Sequence, residues 1–137
     1  MAAPRRRTGS SLREDLFSRG FEFDFFQAVR LLARLCPQRK AVGGAARPAE
    51  EIARFEAHLT MAFPASSIHE VRPAEDGGPP RVTVAFLGLT GTQGVLPFFY
   101  TERLIARKAA RDSSMAAFFD IFNHRLEIGR ASCRERV

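Results

Sequence analysis

The segment with the clearest pattern for predicting the fold lies near the middle of the chain, where residues 81–100 read RVTVAFLGLTGTQGVLPFFY. In residues 81–89 apolar side chains occupy both alternating faces, which is typical of a β-strand covered on both sides. The glycines that follow predict a tight packing loop, and helical spacing then continues over residues 96–111. A strand, a structural loop and a helix are therefore expected in succession, and the loop residues are Gly88, Gly91, Gly94 and Pro97.

Upstream of this stretch, the sequence predicts an amphipathic helix over residues 24–35. Asp24 and, three residues later, Gln27 form the pattern of a capping box, in which each side chain satisfies a free amide at the helix start. Pro37 ends the helix because the residue before a proline avoids the helical region. One face of the helix is apolar and is a candidate packing surface, formed by Phe25, Phe26, Val29 and Leu32.

Between this helix and the central stretch, the period of the pattern changes to two. Phe55, Ala57 and Leu59 alternate with polar residues, which predicts a strand with one wet face. Residues 68–71 predict a short second strand, and residues 73–80 a turn or hairpin loop, because glycine and proline are concentrated there. We therefore expect a small sheet in the middle of the chain.

Downstream of the central stretch, the sequence predicts another helix, capped by Asp112 or Ser113. The order of one helix, strands and then two helices is not a regular βαβ alternation, so the fold class is α+β. The helices carry more apolar surface than one core requires, and we expect a partner or the missing C-terminal half of the protein to cover some of it; the alternative is that all of it is internal core. On the last helix this surface is a stripe of Met115, Phe118, Phe119, Phe122 and Leu126.

The two ends of the chain differ from the domain between them, residues 21–126. Residues 1–20 carry five arginines and are expected to form a basic, flexible arm with a short helical turn around Leu12 to Phe17. Such an arm suits binding to nucleic acid or to an acidic protein face, or is a solvated tail. Residues 127–137 read EIGRASCRERV, interrupt the helical pattern in mid-turn and resemble the translation of a sequencing-library adapter. We expect this last segment to be non-native.

No constellation in the sequence predicts catalysis, a cofactor or a metal. The spacing Gly88-x-x-Gly91-x-x-Gly94 matches neither the dinucleotide fingerprint nor the P-loop, and no Lys-Ser or Lys-Thr pair follows it. The three histidines are scattered, whereas a zinc site needs three or four convergent ligands. Asp120 and His124 lie four residues apart on a predicted helix, and we expect only a surface or end-of-helix contact between them.

Composition narrows the function classes further. The chain has thirteen Phe, one Tyr and no Trp, and phenylalanine suits packing surfaces better than polar recognition. No segment reaches the roughly 18 apolar residues of a membrane span. Two cysteines are too few for a disulfide framework. These features favour a structural protein over an enzyme; the alternatives are a nucleic-acid-binding module acting through the basic arm and a nucleotide-using enzyme at the glycine loop.

Three segments of the chain resemble the TssG family, also called VasB or ImpH. They are FDFFQAVRLL at 23–32, FLGLTGTQGVLP at 86–97 and FDIFNHRL at 119–126, and AFPAS at 62–66 is similar as well. The sequence departs from the family pattern at Thr92-Gln93, where Pro-Ser or Pro-Phe is expected. The glycine frame is unchanged by this departure.

The resemblance implies a cytoplasmic subunit of the type VI secretion baseplate of a Gram-negative bacterium. The expected partners are TssF, which the subunit holds, and TssK, which links the membrane-docked baseplate to the membrane complex. No catalysis, cofactor, small-molecule substrate, nucleic acid or direct membrane insertion is expected. Family members are longer than this chain, so the resemblance also implies an incomplete domain whose last helix continues past Leu126.

Overall fold

The computed structural model describes residues 11–44 and 46–135, and it has the predicted α+β class. The arginine run at 5–7, on which the nucleic-acid hypothesis depends, lies outside the described residues. Four helices and three strands follow in chain order, with one 3-10 turn at Gly20–Glu22: α1 (Leu12–Ser18), α2 (Phe25–Leu35), β1 (Arg54–Ala57), β2 (Ile68–Arg72), β3 (Arg81–Val84), α3 (Phe98–Ala109) and α4 (Ser114–Glu135).

The predicted arm is too long, because residues 11–20 belong to the folded domain. Ser11 and Glu14 form a reciprocal capping box at the start of α1. Leu16 is fully buried in the core. Gly20 is also buried, and a Cβ there would lie 2.7 Å from Cγ2 of Val71. The short helical turn predicted around Leu12 to Phe17 is confirmed as α1, but a single buried leucine is too weak a signal to predict that it packs on the core.

Helix α2 begins one residue after Asp24, as the sequence predicts. A carboxylate oxygen of Asp24 accepts a hydrogen bond of 3.1 Å from the amide of Phe26. Within the described part of the chain, Gln27 is exposed and makes no return bond, so only half of the predicted capping box forms. The inward face of α2 packs on the sheet, with its Phe25 ring 5.5 Å from the ring of Phe55.

The three strands form one mixed sheet in the order β1-β3-β2. β1 pairs with β3 in parallel, and β2 pairs with β3 antiparallel through the predicted hairpin loop. Val82, Thr83 and Val84 are all buried, so the central strand is covered on both faces. The prediction that this strand reaches Leu89 is wrong: β3 ends at Val84 because its partner β1 ends opposite, at Ala57.

Helices α3 and α4 are joined by a tight turn in which Arg111 has φ 61°. Asp112 caps α4, since one of its carboxylate oxygens accepts from both the amide and the hydroxyl of Ser114. The helix then continues through residues 127–135, so the predicted interruption of the helical pattern after Leu126 is wrong.

Candidate protein interface

The glycine loop between β3 and α3 directs its amides at the protein's own side chains. The amide of Leu89 donates to Oδ1 of Asn123 at 2.9 Å, and the amide of Gly91 donates to Oγ1 of Thr101 at 2.9 Å. Gly91 has φ 93°, and a Cβ on Gly94 would lie 2.6 Å from the carbonyl oxygen of Leu89. Two amides that would have to bind a phosphate are thus already engaged, and the loop packs α3 against α4.

The edge of the sheet at β1 is closed by a helix instead of another strand. Oδ1 of Asp120 accepts from the amide of Ala57 at 3.0 Å, and Nδ1 of His124 accepts from the amide of Phe55 at 3.1 Å. The two acceptors on α4 have nearly the same spacing as the two amides on β1. Four helical residues rise about 6 Å, and two strand residues span about 6.6 Å. Side chains of α4 therefore satisfy the two outward amides of an edge strand.

The contact between α4 and the sheet edge includes further polar interactions, made by Asn123, Glu51 and Arg125. Asn123 donates to Oδ1 of Asp120 at 3.0 Å while it accepts from the glycine loop, so it ties the loop to the sheet edge. Nδ1 of His124 is an acceptor, which places the ring proton on Nε2 facing the buried carboxylate of Glu51. Arg125 approaches the other oxygen of Glu51 at 3.4 Å. We call Asp120, Asn123, His124 and Glu127 the polar row.

The expected surface or end-of-helix contact between Asp120 and His124 is wrong, because both side chains point inward and each binds the backbone of β1. Burial raises the pKa of Asp120, while the bonds from Ala57 and Asn123 act in the opposite direction. Glu127, the last member of the polar row, is buried with no partner for either oxygen, and this burial raises its pKa to about 8. Glu127 is therefore largely protonated at neutral pH.

Because the polar row faces inward, the apolar stripe of α4 faces outward. Phe118 is 57% exposed and Phe122 is 49% exposed, with their ring centroids 5.4 Å apart. The stripe continues onto α3 through Phe119, whose ring meets that of Tyr100 edge-on at 6.3 Å. We call this surface the aromatic face; its exposed members are Phe99, Phe118, Ile121, Phe122 and Leu126.

A family model described as "Type VI secretion, TssG" matches residues 19–128, which is more than half of the chain. The chain belongs to the TssG family. TssG is a structural component of the type VI secretion baseplate, so the resemblance seen in the sequence is confirmed. No curated protein and no solved structure matches the chain.

The TssG match includes every element that builds the two surfaces of α4. It begins before α2 and ends at Ile128, within α4, so it contains the sheet edge, the glycine loop, the polar row and the exposed members of the aromatic face. The outward side of α4, and Asp120, Asn123 and His124 on its inward side, therefore belong to the part of the chain that is recognisably TssG.

The packing candidates of α2 and α4 have different surroundings in this TssG-family chain. Phe25, Val29 and Leu32 on α2 are buried, so they form internal core. Phe26 is half-buried, and the guanidinium carbon of Arg134 lies 4.9 Å from its ring centroid. On α4, Phe118 and Phe122 are exposed, and Phe119 is half-buried. Of the two predicted surfaces, only the one on α4 is open to a partner.

Two further histidines of the described chain, His58 and His69, lie side by side. The rings of His58 and His69 stack with their centroids 3.7 Å apart. Burial and the neighbouring charges of His69 and Lys108 lower the pKa of His58. Within the described ranges, no group of three His, Cys, Asp or Glu side chains is placed to hold a metal, and no helix is long and apolar enough to cross a membrane.

Proposed function

We propose that the chain is a wedge component of the type VI secretion baseplate that scaffolds assembly with TssF and TssK. We assign the aromatic face as the surface on which TssF packs. The observation that supports this is the orientation of α4, which leaves the side chains of Phe118 and Phe122 in contact with solvent. A contiguous exposed apolar patch of this kind marks a protein-binding site.

The composition of the aromatic face supports strong binding to another protein. Phe99, which stacks on Tyr100, extends the patch from α4 onto α3 and is more than half exposed. Burying one phenylalanine side chain contributes roughly 1.5–3 kcal/mol, and a few such residues usually dominate an interface. Rings that already pack on one another lose little freedom on binding. The aromatic face therefore supplies several anchors at once.

We further propose that the protein catalyses no reaction and acts on the cytoplasmic side of a membrane-docked baseplate in a Gram-negative bacterium. The two side chains most suggestive of acid–base chemistry, Asp120 and His124, accept hydrogen bonds from β1. The loop amides of Leu89 and Gly91 are likewise bound to Asn123 and Thr101. These groups contribute to folding, and the baseplate family is a structural one.

Co-expression with TssF from the same bacterium tests the proposal. The double variant Phe118→Ser and Phe122→Ser removes two rings from the aromatic face without opening the core. The matched control is Phe63→Ser, because Phe63 is 87% exposed and lies on the loop between β1 and β2. We expect TssF to co-purify with the original chain and with the control, and not with the double variant. Equal recovery of TssF with all three chains would falsify the assignment.

A further inference from the structure

The polar face of the sheet carries an arginine on each of its three strands at the same level. Arg54 of β1 is the register partner of Arg81 of β3, and Arg81 is the register partner of Arg72 of β2. Neighbouring strands lie about 5 Å apart. Like charges placed directly opposite one another in a sheet are destabilising. This arginine row therefore needs negative charge beside it.

The chain's own carboxylates satisfy only part of this need. Glu56 binds Arg72 at 2.9 Å with one oxygen and Arg81 with the other. Glu70 approaches Arg72 at 3.4 Å. Arg54 is exposed and, in the part of the chain that the structure describes, has no acidic partner. In the arginine row, Arg72 and Arg81 are thus paired with carboxylates, whereas Arg54 is not paired with any carboxylate of the described chain.

The arginine row lines a groove of about 900 Å³ between the polar face of the sheet and the first turns of α4. Lys108, at the end of α3, adds a second cation to the lining; among the described residues it forms no direct ion pair, although its charge also acts on Asp120. Ala116 and Ala117 form the α4 wall, and their small side chains leave the groove open to an extended segment.

The lining favours a peptide over a nucleic acid. Glu56, Glu70, Glu75 and Asp120 share the groove with the basic residues, and their charges repel a continuous phosphate backbone. Apart from the stacked pair of His58 and His69, the described lining has no aromatic ring on which bases could stack. A peptide can place a carboxylate at Arg54 and its amides or basic groups at the acidic residues.

We propose that this groove docks an acidic segment of a partner protein, with Arg54 and Lys108 as the principal anchors. A carboxylate between these two cations completes the charge pairing that Glu56 provides at the other two strands. The proposal concerns the polar face of the sheet and does not depend on the aromatic face or on TssF. A failure of the TssF experiment leaves it unchanged.

Fluorescence anisotropy of the full chain with a labelled peptide that carries two adjacent Glu residues among Ser and Asn residues tests the proposal. We expect saturable binding that weakens with salt. The Arg54→Gln variant should weaken binding about fivefold, and Arg54→Gln with Lys108→Gln by more than about tenfold, as expected for exposed charge pairs. The matched control, Arg103→Gln, removes the same charge from an exposed site on α3 outside the groove and should change affinity less than about twofold.

Three results would overturn the proposal: no peptide binding, equal losses in the Arg54 and Arg103 variants, or tighter binding of a single-stranded oligonucleotide with the same number of negative charges. Thermal unfolding provides an independent measurement on the same samples. Removing the charge of Arg54 relieves repulsion within the arginine row, so Arg54→Gln should be at least as stable as the original chain at low salt. A less stable variant would mean that Arg54 already has a partner within the fold.

Discussion

Helices α2 and α4 are both amphipathic, yet the fold treats them in opposite ways. α2 buries its apolar face, with Phe25 and Leu32 in the core. α4 buries its polar row and leaves Phe118 and Phe122 in water. The periodicity of apolar residues locates each helix, but it does not decide which side faces inward.

The difference comes from what each helix packs against. α2 lies on the apolar face of the sheet, where phenylalanine contributes most. α4 lies along the edge of β1, where two amides need acceptors, and an unsatisfied buried amide costs about 1–3 kcal/mol. Asp120 and His124 supply those acceptors. The exposed rings of α4 are then the part of the helix available to a partner.

Alanine substitution of one ring on each helix should distinguish α2 from α4 by the loss of unfolding free energy. Phe25→Ala removes a buried ring from α2 and should lower the free energy of unfolding by about 3–5 kcal/mol. Phe118→Ala makes the same chemical change on α4 and should alter it by less than about 0.5 kcal/mol. Urea denaturation of both variants measures the contrast. Similar losses at the two positions would mean that the α4 stripe is internal core.

The next effect concerns the last member of the polar row. The pKa of Glu127 rises from 4.5 to about 8 on folding, so the folded chain holds a proton that the unfolded chain releases between these values. The contribution of Glu127 to stability should therefore be greatest below about pH 4.5 and fall by a few kcal/mol towards pH 8, at about 1.4 kcal/mol for each pKa unit.

Replacing this carboxylate isolates its contribution. The Glu127→Gln variant is neutral throughout and should lose most of the pH dependence of its unfolding free energy between pH 5 and 8. Glu102→Gln, on the exposed side of α3, removes the same charge and should retain that dependence. A Glu127→Gln variant whose stability follows the original pH profile would show that the group is ionised in the fold.

Glu127 also bears on the origin of the last segment. It is the first residue of 127–137, and it is buried without a partner for either oxygen. Buried polar groups in evolved cores are almost always hydrogen-bonded. We propose that residues 127–137 are adapter-derived, and sequencing the locus from genomic DNA tests this. A genomic frame that encodes the same eleven residues would refute it.

A smaller effect is expected at the edge of β1. Asp120→Ala leaves the amide of Ala57 without its acceptor and should lower the unfolding free energy by about 1–3 kcal/mol. Asp120→Asn keeps an acceptor oxygen and should cost less than about 1 kcal/mol. Hydrogen exchange at Ala57 should accelerate only in the alanine variant. Unchanged exchange there would mean that α4 does not close the sheet edge.

The sequence predicts where most helices and strands lie, but it does not predict which of them contact one another. Asp24 and Asp112 marked two helix starts correctly because a cap is a local signal. The end of β3 at Val84 depends on where β1 stops, which is a long-range property. The inward side of α4 was missed for the same reason, since His124 meets Phe55 across 69 residues of sequence.

A signal for this orientation was nevertheless present. Asp120, Asn123, His124 and Glu127 recur at intervals of three and four residues, which makes the polar row a helical stripe in its own right. Side chains that accept hydrogen bonds at helical spacing, opposite an apolar stripe on the same helix, suit the edge of a sheet. The exposed stripe then becomes a candidate interface. Reading both stripes together would have predicted this arrangement.

The chain folds with its aromatic face exposed to water, and we propose that another protein covers this face in the assembly. The most direct test of this proposal is the unfolding free energy of the double variant Phe118→Ala and Phe122→Ala, measured alone and after mixing with TssF. We expect the unfolding free energy of the isolated variant to change by less than about 1 kcal/mol. We also expect the variant to lose the stabilisation that TssF gives the original chain. An isolated variant destabilised by more than about 3 kcal/mol, or one that TssF still stabilises fully, would contradict the proposal.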